Sequence, residues 1–577
     1  MTDHNTECTN MTNGNSTAAR PTRTNIGVLA MAIYFPKTYV SQSDLELYDK
    51  VGAGKYTKGL MQEKMSFCTD LEDINSIALT VLKKLLEQTK VPLGEIGYLA
   101  VGTETILDKS KSIKTVLMQL FEQSGHTDIE GVDTINACYG GTAALFHAID
   151  HCSSPHSDGR LAIVIAADIA VYDKGSARPT GGCGAVAMLI GPNAALVFDP
   201  MRATQMTNTY DFYKPDPSSE YPIVDGKLSL QAYIAALDKC SEIYHSKWAA
   251  AKQNGRADNK QLMLLDEFSA ILFHSPYCKL VRKAFARLVF NESCRRVRLA
   301  AAAAAAAAPT LDDSATTRVS SAGERRGSEM SDEMFRCCDN KLLFERVVQA
   351  SSGQLSAKSS SLKYKDWIGA PVCGGTTTTV EKLAIQLSEQ AFKEKTEASL
   401  YLSQQIGNMY TASLYSCLIA YLTSKPIEQL ANNKVLLFSY GSGSAASMFS
   451  ARLTGDLFEL EKLVASLRDV QTKLTQRVQV SPSEFSAHLE HRKRTFSLPN
   501  RYPTGKPTSG LVGVGVGNCD HATSINLDTY LYPNTYYLTA VDGVFRRSYA
   551  RYALDRVLDS GDGDGGGDGD GDGDGPN

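Results

Sequence analysis

The stretch Val132–Ile149, VDTINACYGGTAALFHAI, decides how the chain reads. Val132 to Ala137 have the character of the tail of a buried strand. From Gly140 onward the residues are small and apolar (Ala143, Ala144, Leu145, Phe146, Ala148 and Ile149), as in a core helix rather than a surface one. Cys138 falls at the joint, where unpaired backbone N–H groups and the positive end of the helix dipole favour an anion. A cysteine so placed is expected to have a depressed pKa. Gly140 and Gly141 carry no side chains, so a carbonyl of another molecule is expected to reach the backbone there. The competing reading is an inert core thiol.

Outward from this joint, the whole chain is bounded by its composition. It has 577 residues, 43% hydrophobic and 21% charged, with a net charge of -4. That describes a soluble globular protein with no electrostatic case for a nucleic-acid partner. Thirteen cysteines, odd in number and without a CxxC pair, indicate reduced thiols rather than a disulfide framework or a zinc site. No apolar run approaches the roughly 18 residues of a membrane span. The polar segment 1–24 lacks an apolar core and is poor in Arg, so it reads as a disordered tail rather than a leader, and a cytoplasmic location is expected.

Residues 25–195 form the first structural unit. IGVLAMAIYFP gives strands, SQSDLELYD a helix capped by Ser41 or Ser43, and INSIALTVLKKLLEQ a strongly amphipathic helix. The loop VGAGKYTKGL lacks the glycine spacing of a phosphate-binding loop. Tyr98–Gly102 reads as a buried strand with Glu104 emerging at its C-terminal end, where chemistry collects in open α/β sheets. LAIVIAADIAVY is another buried strand, and Asp168 inside it requires hydrogen bonds or a cation. The alternation of strand and helix predicts a mostly parallel sheet covered on both faces.

Residues 196–290 begin with an irregular aromatic loop, 202–227, long enough to be functional. A helix over 228–251 follows, then a strand ending at His274 and a helix with Lys279, Arg282 and Lys283 on one face. Residues 291–370, with alanines 300–308, read as a low-complexity disordered insertion. Over 371–555, SLYLSQQIGNMYTASLYSCLIAYL reads as strand, Gly407-Asn408 turn and helix. KVLLFSYGSGSAASMFSARL reads as strand, Gly441-Ser442-Gly443 turn and helix, the glycines offering N–H donors to an oxyanion. Residues 556–577 are an acidic Gly/Asp tail without the closing Glu of a calcium loop.

Seven blocks in order carry a family resemblance: GTETILDKSKS, NACYGGTAALF, ADIAVYDKGSARPTGG, YDFYKP with SEYPIVDGKLS, FHSPYCKLV, GNMYTAS and FSYGSGSAA. Together they resemble the 3-hydroxy-3-methylglutaryl-CoA synthases of eukaryotic type, over about 25–291 and 381–552. The resemblance implies a thiolase-like α/β fold, two related halves forming a five-layered αβαβα body, and a homodimer. It implies condensation of acetyl-CoA with acetoacetyl-CoA and water to 3-hydroxy-3-methylglutaryl-CoA and CoA, an early step of the mevalonate route to isoprenoids and sterols. No metal or cofactor is implied beyond the CoA thioesters.

By the same resemblance Cys138 is the acetylated nucleophile, Glu104 the general acid/base, and His274 the residue that orients acetoacetyl-CoA. CoA contacts fall on Ala53, Gly54, Lys55, Lys279 and Lys283, and the acyl end is lined by Ser176, Thr180, Ser229, Asn408 and Ser442. Tyr139, Asp168, Asp211, Phe212, Tyr410 and Tyr440 support the pocket. Ser176 and Gly52 stand where family members often carry Asn and Asp. A carboxylate with an ordinary pKa of about 4.3 is a poor acid at neutral pH, so Glu104 is expected in a dry pocket that raises it. Three other readings compete: a different thiolase-fold condensing enzyme, such as a ketoacyl synthase or ketothiolase, a Cys/His/Glu hydrolase of amides or esters, and an inactive homologue acting as a scaffold.

Overall fold

The computed structural model describes residues 24–253, 264–307, 367, 379–507 and 526–553. In chain order its strands are β1 (Gly27–Tyr34), β2 (Thr38–Ser41), β3 (Lys64–Ser66), β4 (Ile96–Thr103), β5 (Asp133–Ile135), β6 (Leu161–Ala170), β7 (Gly182–Gly191) and β8 (Leu196–Met206). They continue as β9 (Phe212–Tyr213), β10 (Ile223–Val224), β11 (Ala270–Phe273), β12 (Lys434–Gly441) and β13 (Ala445–Leu453). Nine of these make one sheet in the order β11-β12-β13-β8-β1-β7-β6-β4-β5.

The sheet is a repeat. Outward from β1, the pairings to β7 and β6 are antiparallel and those on to β4 and β5 parallel. Outward from β8, the pairings to β13 and β12 are antiparallel and that on to β11 parallel. The two sets meet where Gly27 and Val28 pair with Val197 and Leu196. The sheet is therefore mixed, not mostly parallel as the alternation suggested. The reason is local: the three residues Ser442–Ser444 between β12 and β13 are too few for a crossover, which needs a dozen or more residues.

Helices complete five layers. The helix Ile74–Thr89 packs on β1, β6 and β7, and the helix Gly226–Gln253 on β8, β12 and β13. Between the halves lie the helices Gly140–Ser153, on β4 and β6, and Ser413–Leu422, on β11 and β12. They join where the Thr142 hydroxyl meets Tyr415 and Ser439. Ends are fixed by side chains. Ser41 caps the helix Gln42–Tyr48 by accepting from the Asp44 N–H. Asp73 and Ser76 form a reciprocal capping box at the helix Ile74–Thr89, worth about 1 kcal/mol.

Three local expectations fail. Tyr401–Ile406 is helix, not strand, because Leu402, Ser403, Gln405 and Ile406 are buried and flanked by further helix. The Gly441–Gly443 turn leads into strand β13, making a hairpin instead of a strand–helix unit. The helix Cys278–Ala307 runs through the start of the expected disordered insertion, since alanine is the strongest helix former. The rest of that insertion lies outside the described residues except Trp367, whose buried ring packs on Phe290 beneath the Arg287 guanidinium. The tails 1–23 and 554–577 are also outside them.

Candidate active site

Glu104 follows the last residue of β4, and its backbone N–H donates to Asp168 Oδ1 at 2.8 Å. Cys138 lies two residues ahead of the helix Gly140–Ser153 with φ at 51°, a left-handed conformation that costs a non-glycine residue on the order of 1–2 kcal/mol. Surrounding bonds hold it there: Tyr139 N–H donates to Ala137 O, and Gly140 N–H to Asn136 O. Across the site, a Cβ on Gly441 would come within 1.7 Å of the Ala137 carbonyl oxygen, so β12 reaches the Cys138 turn only as glycine. Glu104 Oε2 accepts the Cys138 backbone N–H at 2.8 Å.

This geometry corrects two expectations. Burial pushes the Cys138 thiol well above its usual range, and the Glu104 carboxylate pushes it further. Half a unit charge at a helix end does not offset desolvation plus a full carboxylate at contact distance. Second, Gly140 and Gly141 admit the protein's own chain, not a substrate. A Cβ on Gly141 would lie 2.8 Å from Thr411 O, and one on Gly102 would lie 2.3 Å from the Gly141 nitrogen. The glycines let β4 and the helix approach closely enough to bring Glu104 to Cys138.

Glu104 itself is buried and its pKa is raised by that burial, partly offset by Lys214. Lys214 Nζ sits 3.0 Å from Glu104 Oε1 and lies over the rings of Tyr410 and Phe212 at 5.0 and 5.8 Å from their centroids. The sequence reading did not single it out. The signal was present in YDFYKP, a cation closing an aromatic run in a loop already marked as functional.

Asp168 resolves its burial through hydrogen bonds. Oδ1 accepts from the Thr103 and Thr105 hydroxyls and the Glu104 and Thr105 N–H groups, and Oδ2 from the Thr411 N–H and hydroxyl. It thereby ties the end of β4 to the second half. Asp211 does the same for the aromatic loop, accepting from Tyr440 and from the Gly443 N–H at 3.0 Å. That N–H is consequently not free for an oxyanion, and neither is the Cys138 N–H while Glu104 holds it. Tyr139 is anchored through Ser447 at 2.7 Å, and Phe212, Tyr172 and Tyr410 meet edge to face.

His274 follows the last residue of β11. Its N–H donates to Phe438 O, and its carbonyl accepts from the Tyr233 hydroxyl. Burial pulls its imidazole down to about 3, so it is neutral. Its Nδ1 is buried without a hydrogen-bond partner among the described residues. Asn408 uses its side-chain oxygen internally, accepting from Tyr410 N–H and Ser413 Oγ. Ser442 is half-buried at the tip of the β12–β13 hairpin.

The CoA positions gather elsewhere on the surface. The Glu46 carboxylate takes the N–H groups of Gly54, Tyr56 and Thr57, so the backbone around Ala53–Lys55 is already occupied by an anion of the protein. The Lys55 side chain is exposed. Lys279 N–H donates to Leu60 O, which places this loop against the start of the helix Cys278–Ala307. Lys283 is paired with Glu381 at 2.9 Å and Arg282 with Glu389. Thr180 bonds Ala177 O, Ser176 is exposed on the β6–β7 connection, and Ser229 lies in the first turn of its helix. None of these three hydrogen-bonds to Glu104 or Cys138.

Family models for the hydroxymethylglutaryl-coenzyme A synthase N-terminal and C-terminal regions match residues 21–195 and residues 196–346 and 346–514. The chain belongs to the hydroxymethylglutaryl-CoA synthase family. It is 44% identical over 533 residues to the cytoplasmic hydroxymethylglutaryl-CoA synthase of Gallus gallus, covering 91% of this chain and 87% of that one. It is 43% identical over 530 residues to the mitochondrial hydroxymethylglutaryl-CoA synthase of Bos taurus, covering 91% and 89%. Among solved structures it resembles MvaS in complex with 3-hydroxy-3-methylglutaryl coenzyme A, with a TM-score of 0.65, 26% identity, and 92% and 99% of the two chains covered. The family's enzymes transfer acyl groups, and their known reaction condenses acetyl-CoA with acetoacetyl-CoA. The fold is the thiolase-like one of these synthases. Relatives include cytoplasmic and mitochondrial forms, and no described helix is long and apolar enough to cross a membrane.

Proposed function

We propose that this chain is a hydroxymethylglutaryl-CoA synthase that works through an acetyl-Cys138 thioester, with Glu104 as the acid/base and His274 as the residue that orients acetoacetyl-CoA. The observation that carries the reading is the contact of the Glu104 carboxylate with the Cys138 N–H. A base fixed against the nucleophile's own backbone is within reach of any acyl group that sulfur carries. The Cys138 thiol attacks acetyl-CoA, and its proton leaves on the CoA sulfur. Tethering then holds the acetyl methyl beside its partner. Glu104 takes a methyl proton, the new carbon–carbon bond forms at the acetoacetyl ketone, and Glu104 returns the proton to the ketone oxygen. Water cleaves the enzyme thioester to release the product and free the thiol.

His274 suits the orienting role because a neutral imidazole with an unpartnered nitrogen is ready to hydrogen-bond a carbonyl. Lys55, Lys279 and Lys283 supply cationic contacts for CoA through their side chains. Ser176, Thr180, Ser229, Asn408 and Ser442 line the acyl end, and the chemistry needs no metal or cofactor beyond the CoA thioesters. Homodimerisation fits β5, a sheet edge exposing Ile135 next to exposed Val132. A cytoplasmic, reducing compartment fits the free thiols of Cys68, Cys138, Cys183, Cys240, Cys278 and Cys417.

The test is incorporation of label from acetyl-CoA. Label recovered on the Cys138 peptide and lost in Cys138→Ala supports the reading, and label retained in that variant ends it. Product identified as hydroxymethylglutaryl-CoA separates this reading from a ketoacyl synthase or ketothiolase.

A further inference from the structure

Glu104 is the one catalytic carboxylate, and burial drives it towards the protonated form in which it is useless as a base. The groups that face it are Asp168 and Tyr172 from β6 and its end, Tyr410 from the segment before the second central helix, the Cys138 thiol, and Lys214 from the aromatic loop. Asp168 is a like charge and works against ionisation. Tyr172, Tyr410 and Cys138 are themselves held neutral by burial. Lys214 supplies the counter-charge, 3.0 Å from Oε1, on the oxygen that the Cys138 N–H does not use. The lysine is in turn restrained by the Tyr410 and Phe212 ring faces. Burial alone would discharge it, but Glu104 and Asp168 beside it more than offset this and hold its pKa above the ordinary value.

We propose that Lys214 is the positioning residue that holds Glu104 as a carboxylate, aimed at the acyl group on Cys138, so that the condensation begins with an ionised base. The proton balance closes on this arrangement. The methyl proton neutralises Glu104 next to a lysine that stays charged, and that charge favours passing the proton onward to the ketone oxygen, which restores the ion pair. This rests on the acetyl-Cys138 and Glu104 assignments above, so the experiment separates the two.

Lys214→Met removes the cation at similar length, and Lys214→Arg keeps it. In Lys214→Met, condensation is expected to fall about 100-fold, against less than about 10-fold in Cys138 acetylation. The acid limb of its condensation pH profile is expected to move upward by about one unit or more, and Lys214→Arg is expected to return both toward wild type. Wild-type condensation with an unmoved acid limb in Lys214→Met overturns the proposal. Equal loss in the Arg and Met variants does so too. A second measurement covers a Met variant that does not fold: infrared difference spectra of wild type against Glu104→Gln at pH 7. A carboxylate band supports the proposal and a protonated carboxyl band overturns it. Failure of wild-type Cys138 to take label, or normal condensation by Glu104→Gln, sinks the parent reading instead.

Discussion

In the first half Glu104 leaves the end of β4, and Cys138, at φ 51°, precedes the helix Gly140–Ser153. In the second half His274 leaves the end of β11, and Tyr410, at φ 43°, precedes the helix Ser413–Leu422. The two halves share one backbone device: a polar residue at a strand end and a left-handed residue before a central helix. Burial acts on both polar residues in the same sense, raising the carboxyl and lowering the imidazole, each towards neutrality. What differs is the counter-charge. Glu104 has Lys214 at 3.0 Å, whereas burial is the cause acting on His274. One half is thereby equipped to move a proton and the other to offer a hydrogen bond.

The largest contrast is expected at the two left-handed positions, Cys138 and Tyr410. Cys138→Ala should abolish acetylation outright, whereas Tyr410→Phe, at the matching place, should still take label from acetyl-CoA. At the strand ends, Glu104→Gln should keep acetylation and lose condensation by about 1,000-fold, measured as product formation against enzyme-bound label. His274→Gln should weaken acetoacetyl-CoA use by about 100-fold, seen mainly in KM. Equal effects of both changes on the KM for acetoacetyl-CoA would dissolve the division of labour.

Packing offers a smaller effect. Gly102→Ala places a Cβ 2.3 Å from the Gly141 nitrogen, and overpacking of this kind costs about 1–3 kcal/mol in denaturant unfolding, with activity lost as Glu104 shifts from Cys138. A last effect is in acid stability. Folded His274 stays neutral down to about pH 3, while in the unfolded chain it takes a proton near its ordinary 6.5. The unfolded state therefore binds more protons as pH falls through that window, and stability is lost from about pH 6.5 downward. His245 and His488, lowered to about 4, act in the same direction, and Glu72, raised to about 7, opposes them. His274→Gln should flatten the pH dependence of the unfolding midpoint over this range.

Much of the candidate site was legible in the sequence. Cys138, Glu104 and His274 stand at strand ends and a helix start, which hydrophobic runs reveal directly, and Asp168 announced itself as a carboxylate inside an apolar strand. The misses share a physical cause. Calling Tyr401–Ile406 a strand and the Gly441–Gly443 turn a helix start came from short apolar runs in which the two periods are indistinguishable. Lys214 escaped because a lysine in a polar, aromatic loop is ordinarily solvated, and only the folded loop carries it over Tyr410 to Glu104. The Glu46 carboxylate under the Gly54 turn was hidden for the same reason.

Residue type and order, by themselves, determined which chemistry this protein carries: a thiol, a carboxylate and an imidazole, each next to an element that apolar spacing identifies. The tertiary structure alone decided their protonation and their partners. It took up the N–H groups of Cys138 and Gly443 with Glu104 and Asp211, paired β7 antiparallel with both β1 and β6, and set Lys214 against Glu104. Charge state depends on local dielectric and on neighbours brought in from distant parts of the chain, and neither quantity exists until the core has closed.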